Sequence, residues 1–153
     1  MRWLENRIPP PLLLGLAVGL QWAGARAIES LTLGLPWRLA VSGLLGAIGI
    51  AAMAWGVLEF RRARTTVDPL HPEKVSALVK TGIYRLTRNP MYSGMALVLF
   101  GSAALFDNLV AFVVVLAFGL FIDRFQIVPE ERVLRARFGN EFEDYRRRVR
   151  RWI

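Results

Sequence analysis

Four apolar runs alternate with polar, arginine-rich segments along this chain. They extend from Pro11 to about Ile28, from Leu39 to Phe60, from Met91 to Phe106 and from Leu109 to Val128. A helix rises ~1.5 Å per residue and needs about 20 residues to cross roughly 30 Å of hydrocarbon. The second and fourth runs meet that length. The first carries Gln21, stops near Arg26 and reads as a spanning helix rather than a cleaved leader. The third is short, so it must start below the interface or cross a thinned region. Only Asp107 and Asn108 separate it from the fourth, which predicts a tight helical hairpin at a membrane surface. The expected fold is therefore a single all-α integral membrane domain, with spans at about 11–28, 39–60, 91–106 and 109–128.

The polar segments have their own pattern. Residues 61–90 are expected as a loop, and 129–153 as an amphipathic helical tail. In the tail Leu134, Phe138, Phe142, Tyr145, Val149 and Trp152 recur at steps of three or four, with arginines between them. Gly139 is expected to end one helical segment. Asn140 followed by Glu143 reads as an N-cap with its capping-box partner. Such a tail either lies in the headgroup plane or folds back to roof the helix bundle. Gly43, Gly46 and Gly49 are expected to let another helix approach the second span. Pro129 removes the donor that would pair with the Phe125 carbonyl, so the fourth helix should kink there.

Composition sharpens this picture. Apolar residues make up 54% of the 153, charged ones still 21%, and the formal charge is +8. Of the twenty Lys and Arg, two precede the first run, two follow it, seven lie in 61–88 and nine from Arg124 onward, with none at Asp107–Asn108. Positive charge is retained in the cytoplasm, which puts the 61–90 loop, the tail and, with four spans, the N-terminus inside. Topology thus accounts for the basic excess; anionic headgroups are an expected partner and nucleic acid is not. With no cysteine and a single histidine, His71, no metal site is expected.

Chemistry-bearing residues form two clusters. The first is Leu78-Val79-Lys80-Thr81-Gly82-Ile83-Tyr84, then Arg88-Asn89-Pro90-Met91-Tyr92-Ser93-Gly94. Pro90 suits a first helical turn, so a helix should start near Asn89–Met91 with its positive dipole end at the cytoplasmic boundary, able to receive an anion. Tyr84 and Tyr92 add aromatic faces and hydroxyls. The second cluster is Asp123-Arg124 and Glu130-Glu131, acids that can anchor a cationic or hydroxylated ligand or simply balance nearby arginines. Glu59 is expected to pair with Arg62 one turn on, and Asp107 to cap the hairpin turn.

In these clusters the chain resembles the membrane methyltransferases related to isoprenylcysteine carboxyl methyltransferase, a broad group that includes phospholipid N-methyltransferases. The resemblance runs from about Thr65 to the end, through the two motifs above and then Glu130-Glu131-x-x-Leu134, Phe138-Gly139-x-Glu141-Phe142-x-x-Tyr145 and Val149-Arg150-Arg151-Trp152. It implies S-adenosylmethionine as methyl donor, bound at the cytoplasmic end of the bundle by Ser76, Ala77, Leu78, Val79, Tyr84, Asn89, Pro90, Met91, Tyr92 and Glu130. It implies a lipidic or amphiphilic acceptor reached from a bilayer, in a bacterial cytoplasmic membrane with the donor site and C-terminus in the cytoplasm. Catalytic residues are not assigned; Arg88, Arg124 and Glu131 are the candidates. Asn89 stands where eukaryotic members have His. Gln126, the substrate-binding candidate, stands where an arginine is assigned to the substrate carboxylate, so the donor site carries over while the resemblance leaves prenylcysteine open as the acceptor. The alternatives are a small four-helix transporter or scaffold, disfavoured because no acid lies mid-span, and an NADPH-dependent membrane reductase, disfavoured by the short chain.

Overall fold

The computed structural model describes residues 4–27, 29, 31, 34–65 and 75–152. Among these residues there are six α-helices and no strand: α1 (Pro10–Ala27), α2 (Leu35–Arg62), α3 (Pro90–Phe106), α4 (Leu109–Ile122), α5 (Val128–Phe138) and α6 (Asn140–Arg148). A 3₁₀ turn, Gly82–Arg85, precedes α3, and a π turn, Asp123–Ile127, joins α4 to α5. Prolines open α1, α2 and α3 in or just before the first turn, where a missing amide costs nothing.

Two helical runs are long and apolar enough to cross a membrane, Leu35–Arg62 and the continuous Leu109–Phe138. Only 11% of the most apolar stretch of α2 is buried within the chain. A soluble core helix would be covered; α2 instead turns Trp37, Leu44, Ile48 and Leu58 outward, which suits a lipid environment.

The helices pack through small residues and a few internal polar bonds. Cβ atoms placed on Gly49 or Gly94 would lie 2.5 Å from the other's carbonyl oxygen, and one on Gly101 would lie 3.0 Å from that of Ser42. The α2–α3 contact thus rests on Gly49, Gly94 and Gly101. Of the glycines expected there, Gly43 faces open space and Gly46 only abuts Gly101. Gln21 is fully buried; its amide nitrogen donates to the carbonyls of Leu99 (3.1 Å) and Ala111 (3.0 Å), and its oxygen accepts from Ser102. One side chain therefore ties α1 to α3 and α4.

The two-residue hairpin is present. Asp107 takes a left-handed conformation (φ 53°) as the C-cap of α3, and Asn108 caps α4 by accepting from the Ala111 amide at 3.0 Å. Capping of the second helix therefore falls to Asn108, while the buried Asp107 faces Arg38 at 3.8 Å.

At Pro129 the chain inserts a π turn, and the freed Phe125 carbonyl accepts from the Asn6 amide at 3.0 Å. The N-terminal turn is thereby sewn onto the fourth helix. One further expectation is corrected: no capping box forms at Asn140. Gly139, at φ 52°, is the N-cap without a side-chain bond, and Glu143 pairs with Arg135 (2.5 Å) and Arg146 (3.2 Å). The arginines outcompete a backbone amide for the carboxylate.

Candidate functional site

The last turn of α2 fixes the loop that leads to α3. Glu59 is buried and accepts from Arg62 (2.8 Å), Trp55 (3.3 Å) and the Thr81 hydroxyl (2.6 Å). Gly82 passes directly over it at φ 55°, where a Cβ would lie 2.5 Å from the Glu59 carboxyl carbon. Glycine is required here by both conformation and space. The 3₁₀ turn then directs Tyr84 inward against Phe60, ring centroids 5.4 Å apart.

These elements enclose a cavity of about 410 Å³, within the size range of small-molecule sites. Met91, Tyr92 and Met95 from the start of α3 form one wall; Ala77, Leu78 and Val79 form another, with Phe60 and Tyr84 beside them. Pro9, Pro10 and Pro11 close the α1 side. Leu134, Phe142 and Tyr145 roof it. The tail therefore folds back over the bundle. Tyr145 is fastened by its hydroxyl to the Tyr84 carbonyl (2.7 Å), and Lys80 clips Glu141 at 2.6 Å.

The polar lining is sparse. Across the cavity the Tyr92 hydroxyl donates to Glu130. No cation among the described residues pairs with Glu130. Its neighbour Glu131 is held by Arg88 (2.6 Å) and Arg151 (2.6 Å), and Arg151 also reaches Asp123 at 3.1 Å. All three guanidinium nitrogens of Arg88 are engaged, two by Glu131 and one by the carbonyls of Arg146 and Val149. The Glu131 carboxylate bound to Arg151 raises that guanidinium's pKa further, so the brace stays charged. Burial lifts the hydroxyls of Tyr84 and Tyr145 well above the usual tyrosine range, so both remain protonated donors.

Residues 37–141 match the phospholipid methyltransferase family. The chain belongs to that family. It is 34% identical over 117 residues to the probable protein-S-isoprenylcysteine O-methyltransferases of Oryza sativa subsp. indica and subsp. japonica, spanning 74% of this chain and 60% of theirs. It is 38% identical over 63 residues to an uncharacterized protein of Haemophilus influenzae, 41% of this chain and 100% of that one. No solved structure matches significantly.

For this phospholipid methyltransferase family member, the structure brings most of the expected donor residues together. Ala77, Leu78, Val79, Tyr84, Asn89, Met91, Tyr92 and Glu130 line the one cavity, as do Arg88 and Glu131. Ser76 and Pro90 do not line it: the Ser76 amide is tied to the Thr65 hydroxyl (2.9 Å), and Pro90 is buried beside Gly56. Arg124 points away, pairing with Glu5 at 3.1 Å. Gln126 is fully buried outside the cavity, its amide donating to the Ile8 carbonyl at 2.9 Å. His71 lies outside the described residues. Sequence alone does not single out Pro9, Pro10, Pro11, Phe60, Val75 or Met95 as lining residues. The aromatic spacing of the tail did mark Phe142 and Tyr145 as one face.

Proposed function

We propose that this chain is an S-adenosylmethionine-dependent methyltransferase acting on a lipidic or amphiphilic acceptor at a membrane. The observation that carries the reading is the carboxylate of Glu130, which no cation among the described residues pairs with, joined to Tyr92 across a largely apolar cavity. The donor supplies an electrophilic methyl group on a sulfonium. Glu130 would hold its ammonium, and Tyr92 would fix the carboxylate's direction. Amides in the first turn of α3 would face its carboxylate, and Tyr84 and Phe142 its aromatic base. The apolar walls exclude water, and methyl displacement needs alignment and a dry site more than an acid or base.

Four spans, formed by α1, α2, α3 and the α4 run, are consistent with the placement of arginines; the cavity and tail then lie on the cytoplasmic side. The acceptor is an amine, carboxylate or thiol. The name of the rice relatives points to isoprenylcysteine. Gln126, already committed to the Ile8 carbonyl, argues against the same anchoring of a carboxylate here. Incubating the purified protein with bacterial lipids and methyl-labelled donor tests the reading: label is expected in the lipid fraction, and much less with Glu130→Ala at donor concentrations near the wild-type Kd.

A further inference from the structure

The segment 149–152 crosses the seam between the start of α3 and the start of α5 without lining the cavity. Its backbone carbonyls hold α3. The Arg150 carbonyl accepts from the Arg88 amide (2.9 Å), and that of Arg151 from the Thr87 hydroxyl (3.1 Å) and the Asn89 side-chain amide (2.9 Å). The Trp152 carbonyl accepts from the Ser93 hydroxyl at 3.1 Å. Its side chains hold the other wall. Arg151 spans Glu131 (2.6 Å) and Asp123 (3.1 Å), and the Trp152 indole donates to Asp123 at 3.3 Å.

Asn89 makes no side-chain cap bond to its own helix, and its side-chain amide donates to the clasp. Asp123 opens the π turn and Glu131 lies just beyond it, in the first turn of α5. One guanidinium bridging both fixes how α5 leaves that turn. Glu130 immediately precedes Glu131, so its placement against Tyr92 depends on the same register. We infer that Arg151 is a positioning residue: it sets the separation of Tyr92 and Glu130, and thereby donor affinity, without touching the donor. This rests on the methyltransferase reading for its ligand, but not for its geometry.

The test uses the full chain in detergent with Arg151→Gln and Arg151→Lys, reading S-adenosylmethionine affinity, kcat and KM. A second reading is the distance distribution between spin labels on Leu86→Cys and Ala136→Cys, in a chain with no native cysteine. Losing charge-assisted bonds predicts donor Kd and KM raised about tenfold or more in Arg151→Gln. The kcat at saturating donor should stay within about threefold of wild type, because differential binding is set at the donor and not at the transferring methyl. A broadened label distance is also expected, with partial recovery in Arg151→Lys. Asp123→Asn, which removes one arm only, should give a smaller change in the same direction and serves if Arg151→Gln does not fold. Unchanged donor affinity together with an unchanged distance distribution overturns the inference. If wild type binds no donor, the methyltransferase reading fails separately, and the label distance alone decides the clasp: broadening upholds it and no change overturns it.

Discussion

The hydroxyl of Tyr92, in the first turn of α3, donates to the carboxylate of Glu130, in the first turn of α5. Two helix starts separated by a hairpin and a π turn thus share one bond across the cavity. A charged hydrogen bond is worth roughly 1.5–3 kcal/mol, and a neutral one about 1 kcal/mol. Glu130→Gln should therefore weaken S-adenosylmethionine binding by at least about tenfold, and Tyr92→Phe by a smaller factor, since it only releases the carboxylate. Equilibrium dialysis with labelled donor measures both; equal losses would mean Tyr92 itself contacts the donor.

The α2–α3 contact makes a packing prediction with a built-in control. Gly49 and Gly94 leave no room for a side chain, whereas Gly43 faces open space. Overpacking costs about 1–3 kcal/mol. Gly94→Val should lower the melting temperature in detergent by several degrees, and Gly43→Ala should leave it unchanged. A similar loss at both positions would contradict the packing.

Glu5 connects the N-terminal turn to Arg132 (3.0 Å) and Arg124 (3.1 Å), and the hydrogen bond from Arg132 is the main cause that lowers its pKa below the ordinary 4.5. A depressed carboxyl pKa adds stability that is complete above the unfolded value and disappears as pH falls through the folded one. Wild type should melt above Glu5→Gln at pH 7, and the difference should vanish as the pH drops below the carboxylate range. A gap that persists in acid would assign it to packing instead.

Pro129 leaves the Phe125 carbonyl to the Asn6 amide. Pro129→Ala restores a competing donor within the helix. Amide exchange at Asn6 should then quicken relative to wild type, while exchange in the middle of α4 should not change.

Much of this arrangement is legible in the residues because hydropathy and proline act locally. The runs that became α1 to α4, the Asp107–Asn108 hairpin and the α3 start at Pro90 follow from pattern alone. The aromatic spacing of the tail indicates a buried face, but not which surface covers it; the Tyr145 hydroxyl on the Tyr84 carbonyl decides that. The π turn was invisible, because its cause is shared between Pro129 and an amide more than a hundred residues away. The roles of Arg124 and Gln126 were equally out of reach, since both are fixed by the N-terminal turn. The capping box at Asn140 failed for a related reason: sequence shows that Glu143 can bond a backbone amide, not that Arg135 will reach it first.

The most direct test is calorimetric titration of S-adenosylmethionine into the purified chain and into Glu130→Ala. The account predicts a saturable single-site isotherm for wild type that Glu130→Ala weakens by at least about tenfold. No saturable heat from a folded wild-type protein, or the same Kd in both, would contradict it.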